Sequence, residues 1–202
     1  MSTAKKYLLT ALGLAVTCGT TAVLAAAPLP TGWFLEGNLG SSSEHNAKYV
    51  ANGSTSGSGF SWNINAGYRF MPYFAAEIGY TNYADTEGKA LGKTVANGNS
   101  YSYDIAGKGI IPLSDTGAEL FGKLGVARIN THVKTANDAF IAANSLKVYD
   151  GTHTKTGILF GVGAEYAFMP NLMANIQWQR AQGNSSTGNF DLISAGLGYN
   201  FG

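Results

Sequence analysis

The chain has 202 residues, with 13 Lys plus Arg against 12 Asp plus Glu, 27 glycines, 21 Phe plus Tyr and a single cysteine, Cys18. So balanced a charge argues against a nucleic-acid partner, and no segment after the first 25 residues is long and apolar enough for a spanning helix, which needs about 20 residues. One cysteine excludes an internal disulfide framework.

The N-terminus reads as an address. Lys5 and Lys6 give a positive start, Tyr7 to Val16 is mostly apolar, and Val23-Leu24-Ala25 or Leu24-Ala25-Ala26 supplies the small residues of a signal-peptidase site. Residues 1–25 are therefore predicted to be a cleaved signal peptide, and Cys18 leaves with it. Loss of Lys5 and Lys6 leaves 11 basic against 12 acidic side chains, a net charge of about −1. The exported chain, 26–202, then has no thiol, and its rigidity must come from closure of a sheet.

Eight strands follow by period-2 alternation, in which successive side chains take opposite faces. The first sets Trp33, Leu35, Gly37 and Leu39 against Phe34, Glu36, Asn38 and Gly40. The second is the clearest: Phe60, Trp62, Ile64, Ala66, Tyr68 and Phe70 share one face, and Ser61, Asn63, Asn65, Gly67 and Arg69 the other. The third places Phe74, Ala76, Ile78 and Tyr80 opposite Ala75, Glu77, Gly79 and Thr81, and the fourth Tyr101, Tyr103 and Ile105 opposite Ser102, Asp104, Ala106 and Lys108. In the fifth, Leu120, Gly122, Leu124 and Val126 face away from Glu119, Phe121 and Lys123, with Phe121 out of place on the polar face. The sixth opposes Ile158, Phe160, Val162, Ala164 and Tyr166 to Leu159, Gly161, Gly163 and Glu165; the seventh opposes Leu172, Ala174, Ile176 and Trp178 to Met173, Asn175, Gln177 and Gln179. The eighth ends with Ile193, Ala195, Leu197, Tyr199 and Phe201 on one face.

Connections alternate in length. Met71-Pro72, 111–117 and 169–171 are short, whereas 41–59, 84–100, 131–155 and 182–189 are longer and polar. Short turns at one end and long loops at the other describe a transmembrane barrel with periplasmic turns and extracellular loops, and an even strand count puts both termini in the periplasm of a Gram-negative cell. A soluble eight-stranded barrel would reverse the faces. Bulk decides between them: the apolar face carries too many Trp, Tyr and Phe for so narrow an interior, while Gly, Ser, Ala and Asn fit inside. The fold class is an all-β, eight-stranded antiparallel up-and-down transmembrane barrel, with aromatic girdles of Trp33, Phe70, Phe74, Phe168, Tyr199 and Phe201 below and Phe60, Trp62, Tyr80, Tyr101 and Trp178 above.

Counting from the short turns, Glu36, Arg69, Glu77, Lys108, Glu119, Lys123 and Glu165 fall in the periplasmic half of the lumen, with Asp104 higher. Confined charges must be paired or cost several kcal/mol each. The spacing therefore predicts a salt-bridge cluster of these seven, assisted by Asn63, Asn65, Asn175 and Gln177. It reads as a structural plug, with a narrow gated ion path as the alternative.

Gly67-Tyr68-Arg69-Phe70-Met71-Pro72-Tyr73-Phe74-Ala75-Ala76-Glu77-Ile78-Gly79-Tyr80 resembles the strand-turn-strand signature of the OmpA-like outer-membrane β-barrel family. Gly161 to Pro170 and Gly196-Leu197-Gly198-Tyr199-Asn200-Phe201 are similar to its sixth and last strands. The resemblance covers the barrel, with no counterpart of the peptidoglycan-binding domain of longer members. It implies that Tyr199 and Phe201 form the aromatic assembly signal read by the barrel-assembly machinery, although Gly202 follows Phe201. The family includes adhesins, small pores and structural proteins, so the resemblance specifies architecture more than function.

No catalytic constellation, cofactor site or metal site is expected. His45, His132 and His153 lie in three different predicted loops, and His132 or His153 meeting Ser100 or Ser102 is the one lipid-modifying arrangement the order allows. The expected partners are outer-membrane lipids and lipopolysaccharide, the assembly machinery, and a host or surface ligand bound through the loops. Ala139-Phe140-Ile141-Ala142-Ala143 is an apolar patch in the longest loop, read as a local fold. The reading that follows is a non-enzymatic surface barrel with loops available for adhesion or antigenic contact; a narrow channel and a lipid-modifying enzyme are the alternatives.

Overall fold

The computed structural model describes residues 29–51, 54–113, 116–136 and 138–202. The expected signal peptide and Cys18 lie outside these residues. Nine strands form: β1 (Gly32–His45), β2 (Ser54–Met71), β3 (Phe74–Asn82), β4 (Thr86–Ala90), β5 (Lys93–Pro112), β6 (Ala118–Thr135), β7 (Gly151–Ala167), β8 (Leu172–Ala181) and β9 (Asn189–Asn200). Among the described residues one short helix, α1 (Asp138–Ala143), lies between β6 and β7.

Each strand pairs antiparallel with its neighbour, and β1 pairs with both β2 and β9, so the sheet closes. β3 and β4 both lie between β2 and β5, one above the other. They are two parts of one strand interrupted at 83–85, and eight strands circle the barrel. No helix among the described residues is long and apolar enough to cross a membrane; the strands do the crossing.

The alternation seen in the sequence sets the faces. On β2, Phe60 is 67 % and Ile64 47 % exposed, whereas Asn63 and Asn65 between them are each 1 % exposed. Closure removes sheet edges and turns one face inward, so the polar residues are the buried ones. The rings gather at the strand ends: Trp33 meets Tyr68 at 5.2 Å and Tyr199 meets Phe201 at 4.9 Å on the lower rim, while Trp62 meets Tyr80 at 5.4 Å and Phe160 meets Trp178 at 5.7 Å above.

The lumen is not uniformly polar. An apolar layer of Leu29, Phe34, Ala75, Ile110, Phe121, Ala167 and Met173 closes the lower end. Phe121, the exception on a polar face, stays inside because it packs in this layer. A second apolar layer higher up contains Ile129, Leu159, Tyr83 and Phe190, the last two stacked at 4.2 Å.

Three of the four predicted loops are shorter than expected. Most residues of 41–59 and 84–100 are strand, and 131–155 is strand at both ends: β1 reaches His45, β2 begins at Ser54, β4 and β5 form a hairpin, β6 runs to Thr135 and β7 starts at Gly151. The polar composition that suggested loops reflects strands that rise beyond the membrane with water on one face. Their other face holds a third core of Tyr49, Val50, Ala90, Val95, Ala96 and Val133, against which Phe140, Ile141, Leu146 and Val148 pack. The β4–β5 hairpin turns at Leu91 and Gly92, with φ of 52° and 76°, the two-residue geometry whose twist matches paired strands. We call this part, at the end of the barrel opposite the short turns, the crown.

Candidate functional site

The pairing register delivers the charged side chains to one layer. Glu36 on β1 stands beside Asn65 on β2; Lys108 on β5 stands opposite Lys123 on β6; Glu119 on β6 stands opposite Glu165 on β7. Like charges directly opposite each other are destabilising unless countered from elsewhere. The counter-charges come from across the lumen.

Arg69 makes a two-pronged contact with Glu119, Nη1 donating to Oε2 at 2.7 Å and Nη2 to Oε1 at 2.8 Å, and Nη2 also donates to the Pro72 carbonyl at 2.6 Å. Lys108 Nζ donates to Glu36 Oε1 at 3.0 Å and to Glu165 Oε2 at 2.7 Å, and Lys123 Nζ to Glu77 Oε1 at 3.0 Å. All seven expected residues thus meet, each almost fully buried. The pairs connect β2 with β6, β5 with β1 and β7, and β6 with β3, so each acts as a strut between strands that share no backbone hydrogen bonds.

The expected amide support is only partly present. Asn65 Nδ2 donates to Glu36 Oε2 at 3.5 Å and Asn63 Nδ2 to Asn65 Oδ1 at 3.4 Å, but the side-chain amides of Asn175 and Gln177 have no hydrogen-bond partner among the described residues. Both point inward beside glycines, Gly196 and Gly163, which offer no side chain to bond. A contribution absent from the sequence reading is aromatic: Lys108 Nζ lies 4.2 Å from the Phe121 ring centre and 5.5 Å from that of Phe34. The ring faces carry partial negative charge and favour a desolvated ammonium. The signal that could have revealed this was an aromatic residue on an otherwise polar face.

Between Phe34, Glu36, Lys108 and Glu165 the free space is about 10 Å³, roughly the room of one water molecule at most. The larger cleft, about 1190 Å³, belongs to the crown, where Ser43, Asp85, Asn99 and His132 line it together with Glu44 and Thr86. There Glu44 accepts a hydrogen bond from the Tyr49 hydroxyl at 2.5 Å. Burial raises the Glu44 pKa above the usual carboxylate value; burial first, then the facing carboxylate, raises that of Tyr49.

The histidines do not form a catalytic group with the serines. His132 Nδ1 contacts Thr152 Oγ1 at 2.8 Å, and His153 Nε2 contacts the Tyr149 carbonyl at 3.2 Å. Ser100 is bonded instead to Thr131 and Ser102 to Tyr83, on the opposite face of the wall. His45 lies 3.3 Å from Asp191, which is held by Arg180. The apolar run 139–143 is helix α1, whose Phe140 and Ile141 pack on the crown core, so it is a local fold. At the lower rim Tyr199 and Phe201 face outward, and the Phe201 amide donates to the Trp33 carbonyl at 2.8 Å.

A family model described as the outer membrane protein beta-barrel domain matches residues 11–201. Outer membrane protein P5 of Haemophilus influenzae is 31 % identical over 161 residues, covering 71 % of this chain and 44 % of its own length. The chain thus spans less than half the length of that relative. Among solved structures, the Neisserial surface protein A barrel superposes with a TM-score of 0.60 at 17 % identity, covering 84 % of this chain and 97 % of that one. Ail, the attachment invasion locus protein of Yersinia pestis, solved with the heparin analogue sucrose octasulfate, gives 0.54 at 14 % identity, covering 86 % and 100 %. At these identities the structural likeness speaks for the fold.

Proposed function

Because the chain belongs to the outer membrane protein beta-barrel domain family, we propose that it is a surface-exposed, non-enzymatic barrel of the outer membrane whose crown is an adhesive contact surface for polyanionic partners. The observation that carries this reading is the crown itself. A loop set that served only to connect strands would need no core, yet here Tyr49, Val50, Val95 and Val133 are buried above the membrane and hold the outer strands as a folded unit. That unit presents Lys48, Lys89, Lys93, Lys134, Lys147 and Lys155 to solvent. Preformed surfaces lose less conformational entropy on binding than mobile loops do. The Yersinia protein was solved with a sulfated sugar, and the exposed lysines here offer the charge opposite to such a ligand.

The filled lumen argues against steady conduction. Two apolar layers flank the ion pairs, and a dehydrated ion crossing them would meet a large barrier. The lower rim carries both Leu29 and Gly202 together with the short turns, which supports periplasmic termini.

Full-length protein in nanodiscs should bind immobilised heparin, and Lys134→Gln, Lys147→Gln, Lys155→Gln together should weaken binding about tenfold while reducing its salt dependence. Binding that is absent, or indifferent to the triple variant, refutes the polyanion reading. In planar bilayers the wild type should give no sustained openings; reproducible single-channel steps would favour a channel.

A further inference from the structure

The wall of the barrel is closed only up to the level at which β8 and β9 end. β8 stops at Ala181, opposite Leu159 on β7, and β9 begins at Asn189, whereas β7 continues upward from Leu159 to Gly151. Along this stretch β7 keeps its partner β6, with Ile158 opposite Val126 and Gly151 opposite Val133, and among the described residues it has no strand on its other side.

The last bond on that side runs from the Gln182 amide to the Ile158 carbonyl at 2.9 Å, after which the chain leaves the sheet. In an antiparallel strand successive residues direct their N–H and C=O groups to alternate sides. Ile158 points to the β8 side, so Thr156, Thr154 and Thr152 do the same, with no strand to receive them. The segments that fill the mouth at this level bond to one another instead: the Lys48 amide to the Ser185 carbonyl at 2.8 Å, the Ala51 amide to that of Lys147 at 3.0 Å and the Tyr149 amide to that of Tyr49 at 2.9 Å. Thr152, Thr154, Lys155 and Thr156 are exposed. The hydroxyls of Thr152 and Thr154 turn back to His132 and Asn130 on β6, so they do not cover the open edge.

A free edge of this length is a template for another strand unless it is blunted. β7 has no proline here, and it pairs with β6 in unbroken register without a bulge. Its guard is Lys155, a cation that repels like charge and attracts acid. The surroundings have the same sign: Arg128 stands opposite Thr156 and His132 opposite Thr152, Lys134 lies beyond, and neither 120–137 nor 151–164 contains an Asp or Glu. A strand with acidic side chains would gain main-chain bonds and charge complementarity together. We propose that the free edge of β7 at 152–156 accepts an extended acidic segment of a partner protein as an added strand. The inference rests on the crown being the contact surface, and it names a protein held by its main chain as a partner, where heparin would be held by side-chain charge.

The test is amide exchange, read by NMR, of the full chain in single-barrel nanodiscs with and without about 1 mM of a peptide of alternating glutamate and threonine about seven residues long. In the free protein the amides of Thr152, Thr154 and Thr156 should exchange fast beside slow ones at His153 and Lys155, and the peptide should slow the three at least about tenfold. The same peptide with alternate backbone amides methylated should give no protection, and one with lysine for glutamate should bind about tenfold more weakly. Thr154→Pro removes a donor that faces solvent, which an edge strand tolerates; it should abolish the peptide effect while heparin binding persists. Slow exchange at the three threonines without peptide overturns the proposal, since the edge is then already covered by this chain or by a second copy. A peptide that binds without protecting them, or binds the proline variant equally well, overturns it too. Heparin binding with no peptide effect sinks the added strand alone, and absence of both sinks the contact-surface reading with it.

Discussion

Replacing Arg69 with methionine isolates the strut between β2 and β6. The substitution keeps much of the side-chain length but removes both bonds to Glu119, at 2.7 and 2.8 Å, and the bond to the Pro72 carbonyl at 2.6 Å. Glu119 is 1 % exposed and faces Glu165 across the β6–β7 ladder, so the variant leaves an uncompensated carboxylate beside another. Removing one partner of a buried ion pair costs about 3 to 5 kcal/mol, because the remaining charge keeps its desolvation penalty and loses its partner. Replacing both partners by apolar residues of similar volume is close to neutral, so Arg69→Met with Glu119→Leu should lose no more than about 1 kcal/mol. A double-mutant cycle should therefore return a coupling energy of at least about 2 kcal/mol. The measurement is reversible urea unfolding in lipid vesicles, read by tryptophan fluorescence and by the compact electrophoretic form. A single variant as stable as the wild type, or a double variant as unstable as the single, would refute the view that the pair is a desolvated strut.

Ile64→Arg should destabilise the barrel by about 2 to 4 kcal/mol in the same assay, the cost of a charge on the lipid face near the midplane, whereas Asn63→Ser should change stability by less than half of that. The inward neighbour must be made smaller in this comparison, since Asn63 is 1 % exposed and an arginine there would overfill the lumen. In the crown, the raised Glu44 pKa means that the folded state favours the protonated acid. Its contribution is fully present below the ordinary value of 4.5 and is lost as pH rises through the elevated one. Amide exchange in 46–50 should accordingly speed up as pH rises beyond intrinsic exchange, and Glu44→Gln should abolish that excess; an unchanged profile in the variant would refute the assignment. Val95→Asp should open the crown without unfolding the barrel: protease should cut 136–150 on intact cells while the heat-modifiable form persists, and loss of both together would show that crown and barrel are one unit.

Much of the fold was legible because β-structure writes itself into sequence at the shortest possible period. Phe60 to Phe70 gave strand, orientation and the inward position of Arg69 from eleven residues. The seven lumen charges were legible for a similar reason: each lay a countable distance from a turn, and a tilted strand converts residue number into depth. The strands of the crown were not legible. Thr131-His132-Val133-Lys134 does alternate, but Thr94-Val95-Ala96-Asn97 puts two adjacent residues, Val95 and Ala96, into one core, and such small and polar stretches resemble a loop until the partner strand supplies the hydrogen bonds and the second apolar face.

The sequence by itself determined which residues face lipid and which face inward, because closure leaves only two faces and bulky rings fit only one of them. It also determined that acids and bases would have to meet. Only the tertiary structure decided who meets whom: Arg69 reaches Glu119 and Lys108 bridges Glu36 and Glu165 across a lumen that brings residues 50 and more positions apart into hydrogen-bond range. It decided, too, that Asp104 and Asn65 would both pack over Gly79, close to the place a β-carbon there would take. Partner choice depends on barrel register and diameter, which are properties of the closed sheet and of no single strand.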